Sequence, residues 1–174
     1  MPSPTVVFAG RKFCVEQHQV TDRDGRTRTC DLIAHPGAAV VLPLLDEQRV
    51  LLIRNYRFAV GEELLELPAG TLDGDEAPEQ CARRELAEET GYQAGRLEPL
   101  VAFYSTPGIC NERLSVFVAS ELTPGKTALE PGERITPVEM TWPGILAAAR
   151  RGRISDGKTL LALLYYHTFV RCEV

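Results

Sequence analysis

A glycine followed by a dense acidic helix constrains this chain more than any other feature: from Gly70 to Tyr92 it reads GTLDGDEAPEQCARRELAEETGY. Pro78 suits the first helical turn, where a missing N–H costs nothing, and Asp75, Glu76 and Glu79 favour the positive end of the dipole. Gly91 supplies a left-handed stop, so the spacing predicts a helix over roughly 77–90. Glu85, Glu88 and Glu89 then stand at i, i+3 and i+4 and share one face. Like charges at that spacing destabilise an isolated helix. Taken alone, Glu88 and Glu89 read as a solvated acidic face; three stacked carboxylates point to a cation that neutralises them. Carboxylates are hard oxygen ligands, which favours Mg²⁺ or Mn²⁺ over zinc and, with the cation, a phosphate-bearing substrate.

The rest of the chain frames this helix with strands. Residues 5–35 read as short strands with Asp24-Gly25 as a hairpin turn. Apolar strands follow at Ala38 to Leu45 and Val50 to Arg57, and others at 97–105, 113–120 and 135–141. Two helices are predicted near 143–151 and 156–170, the first ending at Gly152 and the second capped by Ser155-Asp156. Mixed strands flanked by helices give an α/β or α+β layered domain.

At 174 residues the chain is long enough for one domain with a real core. Its net charge of -5 argues against broad binding to nucleic acid or to a membrane surface. No apolar run is long enough to span a bilayer, and no basic segment with an apolar core opens the chain, so it reads as cytoplasmic. The five cysteines, Cys14, Cys30, Cys81, Cys110 and Cys172, form no CxxC pair and read as free thiols. His18, His35 and His167 are isolated and carry ordinary structural expectations.

Gly70, Glu76, Arg84, Glu85, Leu86, Glu88, Glu89 and Gly91 fall in the order glycine, five residues, glutamate, seven residues, Arg-Glu-aliphatic-x-Glu-Glu-x-Gly. This pattern resembles the Nudix box, and only Tyr92 departs, where an aliphatic residue is usual. The resemblance implies an α/β/α sandwich around a mixed sheet and metal-dependent hydrolysis of a nucleoside diphosphate linked to another group. Leu65-Glu66-Leu67-Pro68-Ala69-Gly70, and Pro107 fifteen residues beyond Tyr92, are similar to the ADP-ribose pyrophosphatase branch. That branch implies AMP and ribose 5-phosphate as products. It also implies that residues 1–35 form a β segment exchanged in a homodimer, with residues 36–174 as the catalytic domain. The alternatives are another nucleotide sugar, an oxidised nucleotide, or a non-catalytic ADP-ribose sensor.

By the same resemblance, Glu85 and Glu89 are the first choices as metal ligands, Glu88 is next, and the carbonyl of Ala69 joins them. Arg84 is expected to pair with Glu76 and hold the helix in place. The general base is expected on the loop Leu129-Glu130-Pro131-Gly132-Glu133-Arg134, with Glu133 first and Glu130 second; a solvated glutamate is the alternative for each. Glu112 is expected to orient water or ligand, or to pair with Arg113. Arg54 and Arg57 are both candidates for the substrate side. On a regular strand they point to opposite faces; the resemblance favours Arg57 as the phosphate partner, and Arg54 could instead serve a neighbouring subunit or the surface. Glu66 and Pro107 complete the substrate side. Tyr56 and Phe58 read as core or interface aromatics, with stacking on adenine as the alternative, and Trp142 as packing for the helix that follows it.

Overall fold

A computed structural model of the protein describes residues 3–129, 132 and 134–171. Its centre is one short apolar run. Strand β4 (Ala38–Pro43) is buried at every position, because both of its faces are covered. Ala39 and Val41 point to one side, where they meet Cys81, Ala82 and Leu86 of helix α1 (Pro78–Thr90). Ala38, Val40 and Leu42 point to the other side. There they pack with Trp142, Ile145 and Ala148 of α2 (Trp142–Arg150) and Ala162 and Leu163 of α3 (Gly157–Tyr166). The period-two alternation of one strand therefore builds two cores, and the result is the α/β/α sandwich.

The central sheet is mixed. Its order is β7 (Ala69–Thr71), β4, β9 (Arg113–Pro124), β8 (Tyr92–Tyr104), with β4 parallel to β9 and the other pairs antiparallel. A second, antiparallel sheet joins β10 (Ile135–Thr141), β5 (Arg49–Arg57) and β6 (Glu62–Glu66). The N-terminal segment is a three-stranded meander of its own: β1 (Thr5–Ala9), β2 (Cys14–Thr21) and β3 (Thr27–Ala34). Its second turn closes with Gly25 at φ 80°, a conformation open to glycine at little cost.

Helix boundaries follow local chemistry. Gly91 ends α1 at φ 76°, its N–H donating to the Ala87 carbonyl. Ala77 precedes the helix, and Gln80 Oε1 accepts the Ala77 N–H at 3.2 Å, one half of a capping box. Asp156 caps α3 by accepting the Thr159 N–H at 3.0 Å, and Thr141 caps α2 by accepting from Gly144 N. A π-helical turn (His167–Arg171) continues α3. It brings Arg171 over the Trp142 ring, which also stacks on Tyr166 at 5.6 Å.

Several strand assignments differ from the sequence reading. β8 begins at Tyr92 rather than near 97, and β9 runs to Pro124. The two share an antiparallel ladder whose register shifts between Pro99 and Val101. A bulge there absorbs a proline that cannot donate to the ladder. β6, with the sequence EELLE, has the composition of a helix but pairs with β5, a tertiary preference overriding a local one. Among the described residues no helix is long and apolar enough to cross a membrane.

Candidate active site

The site is assembled where β7 passes beneath α1. Pairing of Ala39 with Gly70 and of Val40 with Ala69 fixes the backbone of β7 against the sheet. A Cβ added at Gly70 would fall inside the Glu85 carboxylate. Glycine is required here by close approach, since its φ is not in the left-handed region. While Cys81, Ala82 and Leu86 bury the inner face of α1, Glu85, Glu88 and Glu89 line an open cleft of about 940 Å³ together with Ala69 and Gly70. Glu89 is almost fully buried and accepts the Ala69 N–H at 3.0 Å.

Arg84 sits among these carboxylates. Its Nε and Nη2 each donate to Glu76 at 2.9 Å, a forked pair. Its Nη1 donates to Glu85 at 2.6 Å and Glu88 at 3.1 Å, and its Nη2 also reaches the Thr71 carbonyl. The bond from Arg84 holds the Glu76 carboxyl down at about 2, against an ordinary 4.5. In turn Glu76, then Glu85, keeps Arg84 firmly protonated. Burial first, and the neighbouring Glu76 charge second, push the Cys81 thiol up to about 12, which leaves it unreactive near neutrality.

A pH dependence follows from the Glu76–Arg84 pair. A depressed folded-state pKa contributes stability that is complete above the unfolded value and is lost as pH falls toward the folded one. The contribution should therefore be full above about pH 5 and fade as pH drops toward 2. Thermal melts between pH 6 and pH 3 should show a Glu76→Gln variant that melts lower at pH 6 and with a flatter profile. Equal slopes for the two proteins would mean that the pair contributes nothing.

The opposite wall is cationic and anchored on a buried acid. Glu66 is fully buried and accepts two bonds from Arg57, at 2.8 and 2.6 Å, and one from Lys158 Nζ at 2.6 Å. Burial alone would raise its carboxyl pKa. The Arg57 and Lys158 bonds outweigh burial, and the net direction is down. Lys158 also lies 3.0 Å from Asp156. The first turn of α3 is tied to the same stretch of chain, since Thr159 Oγ1 accepts the Leu67 N–H at 2.8 Å. Thus one helix start holds Glu66 and Leu67, just ahead of Ala69 in the chain.

The residues singled out from sequence separate clearly in space. Arg57, Ala69, Arg84, Glu85, Glu88, Glu89 and Glu112 all line the cleft. Glu66 lies behind its wall. Arg54 points elsewhere, more than half exposed and 4.0 Å from Glu63. Pro107 sits in the turn before Cys110 and is not among the residues lining the cleft. Glu112 lies 3.7 Å from His35 Nδ1 and forms no ion pair with Arg113 among the described residues. Glu130 and Glu133 lie outside the described residues. Tyr56 and Phe58 are exposed on the single chain.

Three cleft cations escaped the sequence reading: Lys158, and Arg11 and Lys12 from the β1–β2 turn. One signal could have flagged Lys158. A cation in the first turn of a helix opposes the dipole and needs an acidic partner. Nothing local marks Arg11 or Lys12.

Comparison with known proteins fits this geometry. The sequence model of the family described as NUDIX domain matches residues 34–163. An ADP-ribose pyrophosphatase of Bacillus subtilis is 34% identical over 161 residues, covering 91% of this chain and 87% of that one. A methanol dehydrogenase activator of Bacillus methanolicus is 32% identical over the same length, with the same coverage. A GDP-mannose pyrophosphatase of Citrobacter koseri is 39% identical over 142 residues, 76% of this chain and 73% of that one. A crystal structure of an ADP compounds hydrolase superposes with a TM-score of 0.84 over 99% of this chain and 97% of that chain. At 22% identity it supports the fold alone. The chain belongs to the Nudix family and is a hydrolase of pyrophosphate bonds.

Proposed function

We propose that the protein hydrolyses the pyrophosphate bond of ADP-ribose, or of a closely related nucleoside diphosphate sugar, with Mg²⁺ or Mn²⁺, giving AMP and ribose 5-phosphate. One observation carries the reading: three carboxylates on one helix face share a cleft with Arg57 and Lys158, both pinned on buried Glu66.

The residues fit a hard divalent cation by donor chemistry and by space. Glu85, Glu88 and Glu89 offer carboxylate oxygens, and the bare α-carbon of Gly70 leaves room for Glu85 beside the Ala69 backbone. Among the described residues no three acidic, histidine or cysteine side chains are gathered closely enough to cage an ion by themselves. The Arg84 guanidinium holds Glu85 and Glu88 instead, and a bound cation would take over that neutralising contact. When bound, it supplies charge to offset the phosphoryl oxygens and lowers the pKa of a coordinated water.

The remaining work falls to the chain. Arg57 and Lys158 are the phosphate partners, oriented by Glu66 so that little side-chain freedom is lost on binding. Arg84 and Glu76 fix the helix whose face carries the metal ligands. Glu112 orients water or a ligand hydroxyl from the wall next to Ser105. The general base is Glu133, or Glu130 as second choice, in the stretch of sequence before β10.

The ADP-ribose assignment draws on the Bacillus subtilis relative, and a second reading, GDP-mannose or a similar nucleotide sugar, draws on the Citrobacter koseri one. A panel of ADP-ribose, nucleotide sugars, dinucleoside polyphosphates and oxidised nucleoside triphosphates separates them. AMP release from ADP-ribose well above the rest is the expected result. A different winner would move the substrate and keep the chemistry. Tight ADP-ribose binding with no turnover would make the protein a sensor.

Residues 1–35 are proposed as the dimer-forming segment. Val6, Val7, Phe8 and Phe13 are exposed on the single chain, an apolar surface that a second copy would cover. Sedimentation at micromolar concentration should give a dimer, and a monomer would reject the assignment.

A further inference from the structure

The loop between β8 and β9 carries Glu112 to the cleft, yet it has little regular structure of its own. Its base is closed by Ser105 N–H donating to the Glu112 carbonyl at 3.1 Å. A single turn follows, with Ile109 and Cys110 N–H both donating to the Thr106 carbonyl. What registers this turn against the sheet comes from 70 or more residues earlier in the chain. Ile33, at the end of β3, donates its N–H to the Ile109 carbonyl at 2.8 Å and accepts the Asn111 N–H at 3.3 Å. These two bonds form an isolated parallel bridge between Ile33 and Cys110. Two residues on, His35 N–H donates to the Asn111 side-chain oxygen at 2.8 Å. A side chain continues the ladder where the loop backbone has turned away.

The His35 ring completes the clamp. It is largely buried, with 13% of its side chain exposed. Nδ1 accepts the Gly37 N–H at 3.1 Å, so in the neutral ring the proton sits on Nε2. The same Nδ1 lies 3.7 Å from Glu112 Oε1, too far for a hydrogen bond. The imidazole thus backs the carboxylate without consuming its acceptor capacity, and Glu112 stays available to the cleft.

We propose that His35, with Ile33 and Asn111, positions Glu112, making the junction of the N-terminal meander and the central sheet part of the active-site architecture. The proposal rests on the reading of this cleft as the hydrolytic site. His35 touches neither the carboxylate face of α1 nor the Arg57–Lys158 wall; it acts through Glu112.

A double-mutant cycle tests it, using the preferred substrate of the panel and saturating Mg²⁺. His35→Ala should lower kcat/KM about tenfold, within the range of coupled contacting pairs. In a Glu112→Gln background the same change should have no further effect. His35→Asn, whose Oδ1 can still accept the Gly37 N–H, should recover most of the activity. Multiplying losses in the cycle, or an Asn variant as poor as the Ala variant, would overturn the proposal. Amide hydrogen exchange gives a readout independent of turnover: Ile109 to Glu112 should exchange faster in His35→Ala while α1 and β4 keep their protection. If the wild-type protein hydrolyses nothing in the panel, the functional reading has failed. The clamp is then judged by exchange alone, where unchanged protection of the loop would overturn it.

Discussion

Glu85→Gln and Glu89→Gln are each expected to reduce turnover about a thousandfold, since a catalytic cation supplies several kcal/mol of transition-state stabilisation and each 1.36 kcal/mol is tenfold in rate. The amide keeps the size of the side chain and removes the charge that would hold the ion. Glu89 makes the cleaner test. A glutamine oxygen can still accept the Ala69 N–H that Glu89 accepts at 3.0 Å, so this backbone contact should survive while the metal site suffers. Glu85 is coupled to Arg84 at 2.6 Å, and its loss also loosens the guanidinium. Glu88, about one-third exposed, should matter less than either. Turnover and Mg²⁺ affinity should be measured together for each variant. Full turnover with full metal affinity in Glu89→Gln would remove it from the ligand set.

The second large effect is expected at Glu66. Replacing it with leucine should destabilise the protein by about 3–5 kcal/mol, the usual cost of removing one partner of a buried ion pair. Arg57 and Lys158 would be left with no carboxylate between them. Arg57, with 39% of its side chain exposed, can turn toward water, while Lys158, at 15%, has less room to do so. The loss is therefore expected near the lower end of that range, still a large share of a typical total of 5–15 kcal/mol. Lys158→Met should behave differently. It removes a cation and its desolvation together, costs less stability, and raises KM for the nucleotide. Urea unfolding at pH 7 reads the first effect. A Glu66→Leu change worth under about 1 kcal/mol would mean that the two cations find other partners, since surface ion pairs are worth no more than that.

The parts of this architecture that depend on local chemistry could be read from the chain. Pro78 and Gly91 bound α1 to within a residue, and the apolar run from Ala38 announced strand β4, which ends at Pro43 rather than Leu45. Asp156 marked the start of α3. What escaped depends on pairing across sequence distance. Glu62–Glu66 has helix-forming residues and becomes a strand because β5 lies beside it. Three-residue β7 has too few residues for any periodicity to show.

The site divides in the same way. The carboxylate face of α1 is a helical spacing and is visible in one window of sequence. Lys158 reaches Glu66 across 92 residues, and no local pattern reports that contact. Arg54 and Arg57 were separable because an odd spacing on a strand assigns them to opposite faces. Arg57 lines the cleft, while Arg54 meets Glu63 outside it.

The cleft between the α1 carboxylates and the Arg57–Lys158 wall is proposed to break a pyrophosphate bond. Phosphorus NMR of ADP-ribose incubated with the protein tests it most directly, first with EDTA and then with excess Mg²⁺ or Mn²⁺. No change is expected with EDTA. On adding metal, the pyrophosphate signals should give way to two phosphomonoester signals, those of AMP and ribose 5-phosphate. Persistence of the pyrophosphate signals with either metal, at protein concentrations where the fold is intact, would contradict it.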